Sequence, residues 1–492
     1  MYLEMDGKGA LYGQLTRALK SAVMAGRVAP GSRLPATREL ADELRISRNT
    51  VRSAYDQLIA EGFFEGRAGS GSFVAHNATT STGTRPAASV APQSRYARRL
   101  RALDDFRVIR LHRGLRFNLQ YGEAVVDPIA ITAWRRELAH AALGTALQYP
   151  LAQGLQSLRE ALCDYLKRRR GINCSPDDVL IVSATQQAMS LTAQVLVDPA
   201  DTVVLEDPHY FFARHVFKAY GANIATVPVD QDGLQCAKLA RLSPKLIVVT
   251  PSHQFPSGCL MSKSRRLELL NYAEKKKCWI FEDDYDSEFR YDVNPMPALS
   301  AIDATGRVIY AGTFSKVLFP SLRMGYLVVP PALRNDFIVA KRMADLGCPA
   351  IEQAAMARYI ASGGFERHLR RVVQITKRRR TALLEGLARV GQGQFEVQDS
   401  HAGMHLVARL PQFSERKFTR LIELAAARGL GLHRSAPFYT NPPKVPGLLL
   451  GFAALSATEI NAAMAVLEGC LKELNAAPVG RTRGGKAGGR TI

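Results

Sequence analysis

Apolar and polar positions follow two different rhythms along the chain. From Leu11 to Gly26 the apolar residues recur with helical spacing: Leu11, Leu15, Ala18, Leu19 and Ala22 share one face, and Gly26 is placed to end the helix. PATRELADELR predicts a second, shorter helix with Thr37 as N-cap and Leu40, Ala41 and Leu44 turned inward. SRNTVRSAYDQLIAEG predicts a third, capped by Ser47, with Val51, Tyr55, Leu58 and Ile59 on the buried stripe. FFEGRAGSGSFVA then reads as two short strands around a glycine-rich tip. Further on the rhythm changes. The runs DVLIVSATQQ, DTVVLEDPHYF, KLIVVTPSHQFPSG, CWIFEDDYDSEF, RVIYAGTFSK and MGYLVVP are β-rich, end in polar or glycine-rich clusters and alternate with helical segments. That order predicts a mostly parallel sheet covered by helices, with ligands gathered at the C-terminal edge of the strands.

Composition marks the boundaries. At HNATTSTGTRPAASVAPQSRYARRLRAL, Ser, Thr, Ala and Pro replace the periodic apolar residues and then give way to arginines. The chain therefore divides into a small module over residues 1–75, a flexible basic linker over 76–112, an α/β body over 113–475 and a disordered basic tail over 476–492. A length of 492 residues agrees, being more than one core usually holds.

The net charge of +21 invites a polyanionic partner, and its distribution qualifies the invitation. The first 75 residues carry 10 Lys and Arg against 8 Asp and Glu, whereas residues 76–115 carry 8 against 2. The excess thus lies beside the folded parts. Seven scattered cysteines with no CxxC exclude a disulfide framework and a zinc site, so no metal is expected. The N-terminus has no leader pattern and no apolar run is long enough to span a bilayer, so a cytoplasmic protein with no membrane partner is expected.

The third helix leaves Arg48, Asn49 and Arg52 exposed at its first turns. Two helices joined by a tight turn, the second presenting Arg and Asn from its N-terminal end, form the geometry that reads base edges in the major groove of double-stranded DNA. The glycine-rich hairpin is a wing able to approach the phosphate backbone.

The strand ends of the body supply what pyridoxal 5'-phosphate (PLP) requires. Lys316, in GTFSKVLFPSLRMGY, can form a Schiff base with the cofactor's aldehyde once its surroundings lower its pKa. Asp283 can keep the pyridine nitrogen protonated so that the ring withdraws electrons, and Tyr285 can hydrogen-bond the ring hydroxyl. Thr185 and Gln186 at a helix start, Thr313 and Ser315 beside the lysine, and the guanidinium of Arg323 are donors for the phosphate. Tyr210, after EDPH, can stack on the ring.

LYGQLTRALKSAVMAGRVAPGSRLPATRELADELRISRNTVRSAYDQLIAEGFFEGRAGSGSFVA resembles the GntR-family winged helix-turn-helix over its whole length. The resemblance implies operator binding through Arg38, Arg48, Asn49, Thr50 and Arg52, with Gly71 at the wing. The body looks like a fold-type I aminotransferase. YPLAQGLQSLREALCDYLKRRRGI, TPSHQFPSG, FEDDYDSEFRY and FSKVLFPSLRMGY bring the whole chain close to the MocR/GabR subfamily of GntR regulators. That resemblance implies a multi-domain fold, the cofactor roles given above, Tyr149 as a phosphate contact from the neighbouring subunit, and a head-to-tail homodimer.

Three departures bear on function. Phe255 precedes Pro256-Ser257-Gly258 where aminotransferases usually place Asn, which removes a ring-hydroxyl donor and argues against efficient turnover. Ala184 stands in SATQQ where Gly is common. Leu449 and Phe212 occupy positions at which carboxylate-gripping members carry Arg; Arg214 is a candidate substitute, and GABA is not expected as the effector. The expected function is a DNA-binding transcriptional regulator whose body binds PLP on Lys316 and senses an amine metabolite or PLP itself, with at most weak transaminase activity. The alternatives are a working aminotransferase with a DNA-binding appendage, and a cofactor-free dimerisation scaffold.

Overall fold

The computed structural model describes residues 3–67, 69–76, 93–103, 114–144, 149–291, 296–398 and 401–476. The chain forms two compact units, residues 1–93 and 94–492.

In the first unit, helices Leu11–Met24, Thr37–Leu44 and Arg48–Ala60 precede a hairpin of strands Phe64–Arg67 and Gly71–Val74, paired antiparallel with Glu65 opposite Phe73. Leu15, Leu19, Leu40, Val51 and Leu58 are fully buried between the helices, as their spacing requires. Three details differ from expectation. Ala36, not Thr37, is the N-cap of the second helix, and the carboxylate of Glu39 takes up the cap's own N–H at 3.0 Å in place of a hydroxyl. Leu11 and Ile59 are 50% and 38% exposed, because each lies at the end of its helix, beyond the packing partners of the central turns.

The second unit is built on an eight-stranded sheet in the order Val179–Val182, Gly325–Val328, Val308–Thr313, Trp279–Asp284, Leu246–Val249, Thr202–Asp207, Asn223–Asp230, Gly233–Leu234. All six runs singled out above are strands of this sheet. Its centre is parallel, whereas Gly325–Val328 runs antiparallel to both neighbours and Gly233–Leu234 antiparallel to its single neighbour. Helices cover both faces, which is why VLIV and LIVV read as unbroken apolar runs. On one face Val203, Leu205, Val248 and Phe281 pack with Ala188 and Phe217; on the other, Val204, Ile247 and Ile280 pack with Leu269 and Ala273. A smaller antiparallel sheet, Glu396–Gln398, His405–Arg409, Gly447–Gly451 and His433–Arg434, follows the long helix Gly364–Gly391.

Part of the expected linker belongs to this unit. Arg95–Arg101 is a helix, its Arg99 Nε donating to Ala219 O at 2.7 Å and its Tyr96 ring 5.3 Å from that of Tyr220. A serine cap and two anchored side chains order a stretch that composition alone marks as flexible. The rest of the expected linker, residues 77–92 and 104–112, and the expected tail from residue 477 onward lie outside the described residues.

Candidate functional site

The rim of the sheet is set by register. In the parallel pair Trp279–Asp284 and Val308–Thr313, Ala311 lies opposite Asp283, so the carboxylate of Asp283 and the loop that begins at Phe314 emerge side by side. Within that loop Ser315 N donates to Thr313 Oγ1 at 3.2 Å and Leu318 N to Phe314 O at 2.9 Å, a turn that carries Lys316 back over the strand ends. Its Nζ donates to the carbonyl of Gly122. Antiparallel to the lysine's own strand, Gly325 permits a close approach: a Cβ there would stand 2.7 Å from Gly312 O and 3.0 Å from Ala184 Cα. Ala184 itself has φ +64°, the left-handed region that glycine would occupy without strain.

These elements enclose a cavity of about 510 Å³. Lys316, Asp283, Tyr285, Tyr210, Thr185, Gln186, Thr313, Ser315 and Arg323 all line it. Tyr149 does not: its side chain is 91% exposed. Nor does Arg214, so Lys316 and Arg323 are the cationic side chains lining the cavity among the described residues.

The electrostatics favour a proton held at Asp283 and a neutral amine at Lys316. Burial, reinforced by the carboxylates of Asp284 and Asp286, pushes Asp283 up to about 8. Burial lowers the ammonium of Lys316 from its ordinary range, which raises the share of nucleophilic free amine. Asp283 Oδ1 and Ser315 Oγ are buried without a hydrogen-bond partner among the described residues, and both belong to side chains of the cavity wall. Buried polar atoms left unpaired in this way mark a place where a ligand's own polar groups belong. The donor set fits PLP: a carboxylate for the ring nitrogen, a phenol for the ring hydroxyl, a lysine for the aldehyde, and hydroxyl, amide and guanidinium groups for the phosphate.

Several residues of this site escape a reading of the sequence. Gly122, Tyr121 and Gln120 enter from a segment almost two hundred residues before the lysine. His253 accompanies Tyr285, its Nδ1 2.9 Å from the phenol and 3.0 Å from Asp286 Oδ2. His405 lines the cavity, and burial together with His253 holds it well below the usual imidazole range. The one available signal was the His253–Gln254 pair in PSHQFPSG, the loop that follows strand Leu246–Val249.

In the first unit, Ser47 Oγ accepts from Thr50 N at 3.1 Å and starts the third helix. Arg48, Asn49 and Arg52 are exposed at that end, Arg52 3.7 Å from Asp56, while the hydroxyl of Thr50 is 3.1 Å from Ser47 Oγ. Arg38 is exposed on the preceding helix, and Gly71, at φ +102°, opens the second strand of the wing.

A winged helix joined to an α/β domain with a PLP-type rim defines a DNA-binding regulator built on an aminotransferase fold. Residues 117–467 match the family aminotransferase class I and II, and residues 11–74 match bacterial regulatory proteins, gntR family. The chain belongs to the gntR family of bacterial regulatory proteins, to the MocR type that carries an aminotransferase class I and II domain. It is similar to the probable rhizopine catabolism regulatory protein MocR of Rhizobium meliloti, at 36% identity over 92% of each chain. It is also similar to the HTH-type pyridoxine biosynthesis transcriptional regulator PdxR of Corynebacterium glutamicum, at 30% identity over 90% of this chain and 91% of that one. Among solved structures, LysN, an α-aminoadipate aminotransferase from Thermus thermophilus, superposes with a TM-score of 0.69 at 27% identity, covering 78% of this chain and 98% of that one. The function is that of a DNA-binding transcriptional regulator, and the cofactor of its large domain is PLP. No helix among the described residues is long and apolar enough to cross a membrane.

Proposed function

We propose that Lys316 holds PLP, and that an amine metabolite or PLP itself acts there to change how the winged helix binds its operator. The observation that carries this reading is the convergence on one cavity of Lys316, Asp283, Tyr285 and Arg323, which the sequence separates by as many as forty residues. When bound, PLP supplies an electron-withdrawing ring and an aldehyde that captures amines. The chain's own residues do the rest. Asp283 holds the ring nitrogen's proton, Tyr285 positions the ring hydroxyl, Tyr210 covers the ring, and Thr185, Gln186, Thr313, Ser315 and Arg323 hold the phosphate. Phe255 brings an apolar ring to the position from which Asn would donate, and the loss of that donor argues against efficient turnover.

On the DNA side, Arg38, Arg48, Asn49, Thr50 and Arg52 contact the operator, with Gly71 letting the wing approach the backbone. A ligand changes operator affinity only by favouring one arrangement of the chain over another. A head-to-tail homodimer completes the reading, Tyr149 of each chain reaching its neighbour's phosphate site. It is supported by the exposure of Tyr149 together with Leu143 (88%), Leu151 (69%) and Val126 (67%), large apolar side chains that a single chain leaves uncovered.

The test is a visible-absorption titration of the purified protein with PLP beside Lys316→Ala. A saturable band present only in the wild type is expected; equal spectra would remove Lys316 from cofactor binding. Lys316→Ala should still bind operator DNA, and an effector response unchanged in that variant would take the lysine out of sensing.

A further inference from the structure

We infer that the effector site takes a primary amine carrying an apolar or aromatic group and no carboxylate. The inference rests on the cofactor reading above and narrows it to a ligand class. Among the described residues, the two cationic side chains on the cavity wall are both committed once the cofactor is in place: Lys316 to its aldehyde and Arg323 to its phosphate. His405, the imidazole on the wall, is held neutral by burial.

What remains for a ligand is mainly aromatic; beside the rings, Gln120, Thr250, Asp286 and Met404 add an amide, a hydroxyl, a carboxylate and a thioether but no cation. Tyr121, Tyr210, Phe211, Phe212 and Phe255 line the cavity. They form a continuous set: the Phe255 ring stands 5.8 Å from Tyr210 at 90° and 6.0 Å from Tyr121, and Phe211 stacks 4.2 Å from Phe212. Behind Phe255, Val407, Phe438 and the fully buried Leu449 close the wall with apolar groups. A carboxylate brought against this surface loses its hydration and gains no uncommitted guanidinium among the described residues in return, a cost that an amine without a carboxylate does not bear. The rings also reward the ligand's apolar part through burial and edge-to-face contact.

The experiment uses the full-length protein loaded with PLP and verified by its Lys316-dependent visible band. It is titrated with 2-phenylethylamine and, separately, with phenylalanine, which share a ring and an amine and differ by the carboxylate. The readout is the displacement of the band, with heat of binding as a second measure. We expect 2-phenylethylamine to act at a concentration at least about tenfold lower. Phe212→Arg, at a half-buried position on the cavity wall, is expected to narrow or reverse that ratio by supplying the missing cation. Leu449→Arg is a second variant of the same kind, at a fully buried site where folding must be checked by melting.

The outcomes separate. No Lys316-dependent band would overturn the cofactor reading and this inference with it. A normal band displaced equally well or better by phenylalanine, or by neither compound, would overturn this inference alone.

Discussion

The phenol of Tyr285 and Nδ1 of His253 stand 2.9 Å apart, and the same nitrogen lies 3.0 Å from Asp286 Oδ2. Tyr285 is therefore held from behind by a buried imidazole that is itself anchored by a carboxylate. A phenol fixed in this way loses little freedom when it engages a ligand, which is the physical content of preorganisation.

That arrangement depends on Gly403. Its φ is +74°, and a Cβ there would lie 1.9 Å from His253 Cε1, closer than atoms can approach. Gly403→Ala is expected to destabilise the protein by about 1–3 kcal/mol, the range for overpacking a buried site. It should also weaken PLP binding by displacing His253 from Tyr285. Thermal melting and the PLP titration check this; a variant with unchanged melting and unchanged titration would show that the imidazole does not need its place.

Asp283 makes a signed prediction for the cofactor-free protein. Its folded pKa is raised to about 8, against about 3.9 for an unfolded aspartate. The folded chain thus holds a proton that the unfolded chain has released, and the stability this contributes is full below about pH 4 and is lost as pH rises through about 8. Asp283→Asn cannot ionise. Its melting temperature should rise relative to the wild type as the pH is raised from about 5 to about 8, and level off above. A difference that does not vary with pH would show that Asp283 is ionised throughout.

Arg48 tests whether the two sites are separate. It is exposed at the start of helix Arg48–Ala60, in a unit distinct from the one holding the cavity. Arg48→Ala is expected to lower affinity for duplexes selected from a random library by about 1–3 kcal/mol, or roughly 5- to 150-fold, the cost of one base-reading arginine. PLP uptake should not change. Fluorescence anisotropy and the visible titration measure the two effects independently, and joint loss of both would contradict the separation.

The elements and the chemistry of this protein were legible in its sequence because both are local. Helical spacing around Leu15 and Leu19, the Ser47 cap, and apolar runs such as VLIV and LIVV depend on neighbours a few residues away. The residues at the strand ends could likewise be named, since a parallel sheet presents those ends on one rim wherever its strands fall. Local signals misled where a distant partner intervened: Arg99 finds the carbonyl of Ala219, and a stretch with linker composition becomes a helix. The tertiary structure alone decided the rest. It brought Gly122 to Lys316, His253 against Gly403 and Tyr285, and Phe255 among Tyr121, Tyr210 and Phe438. Such pairs are fixed by how whole elements pack, and the short-range pattern of apolar and polar residues carries no record of which distant surface each one will meet.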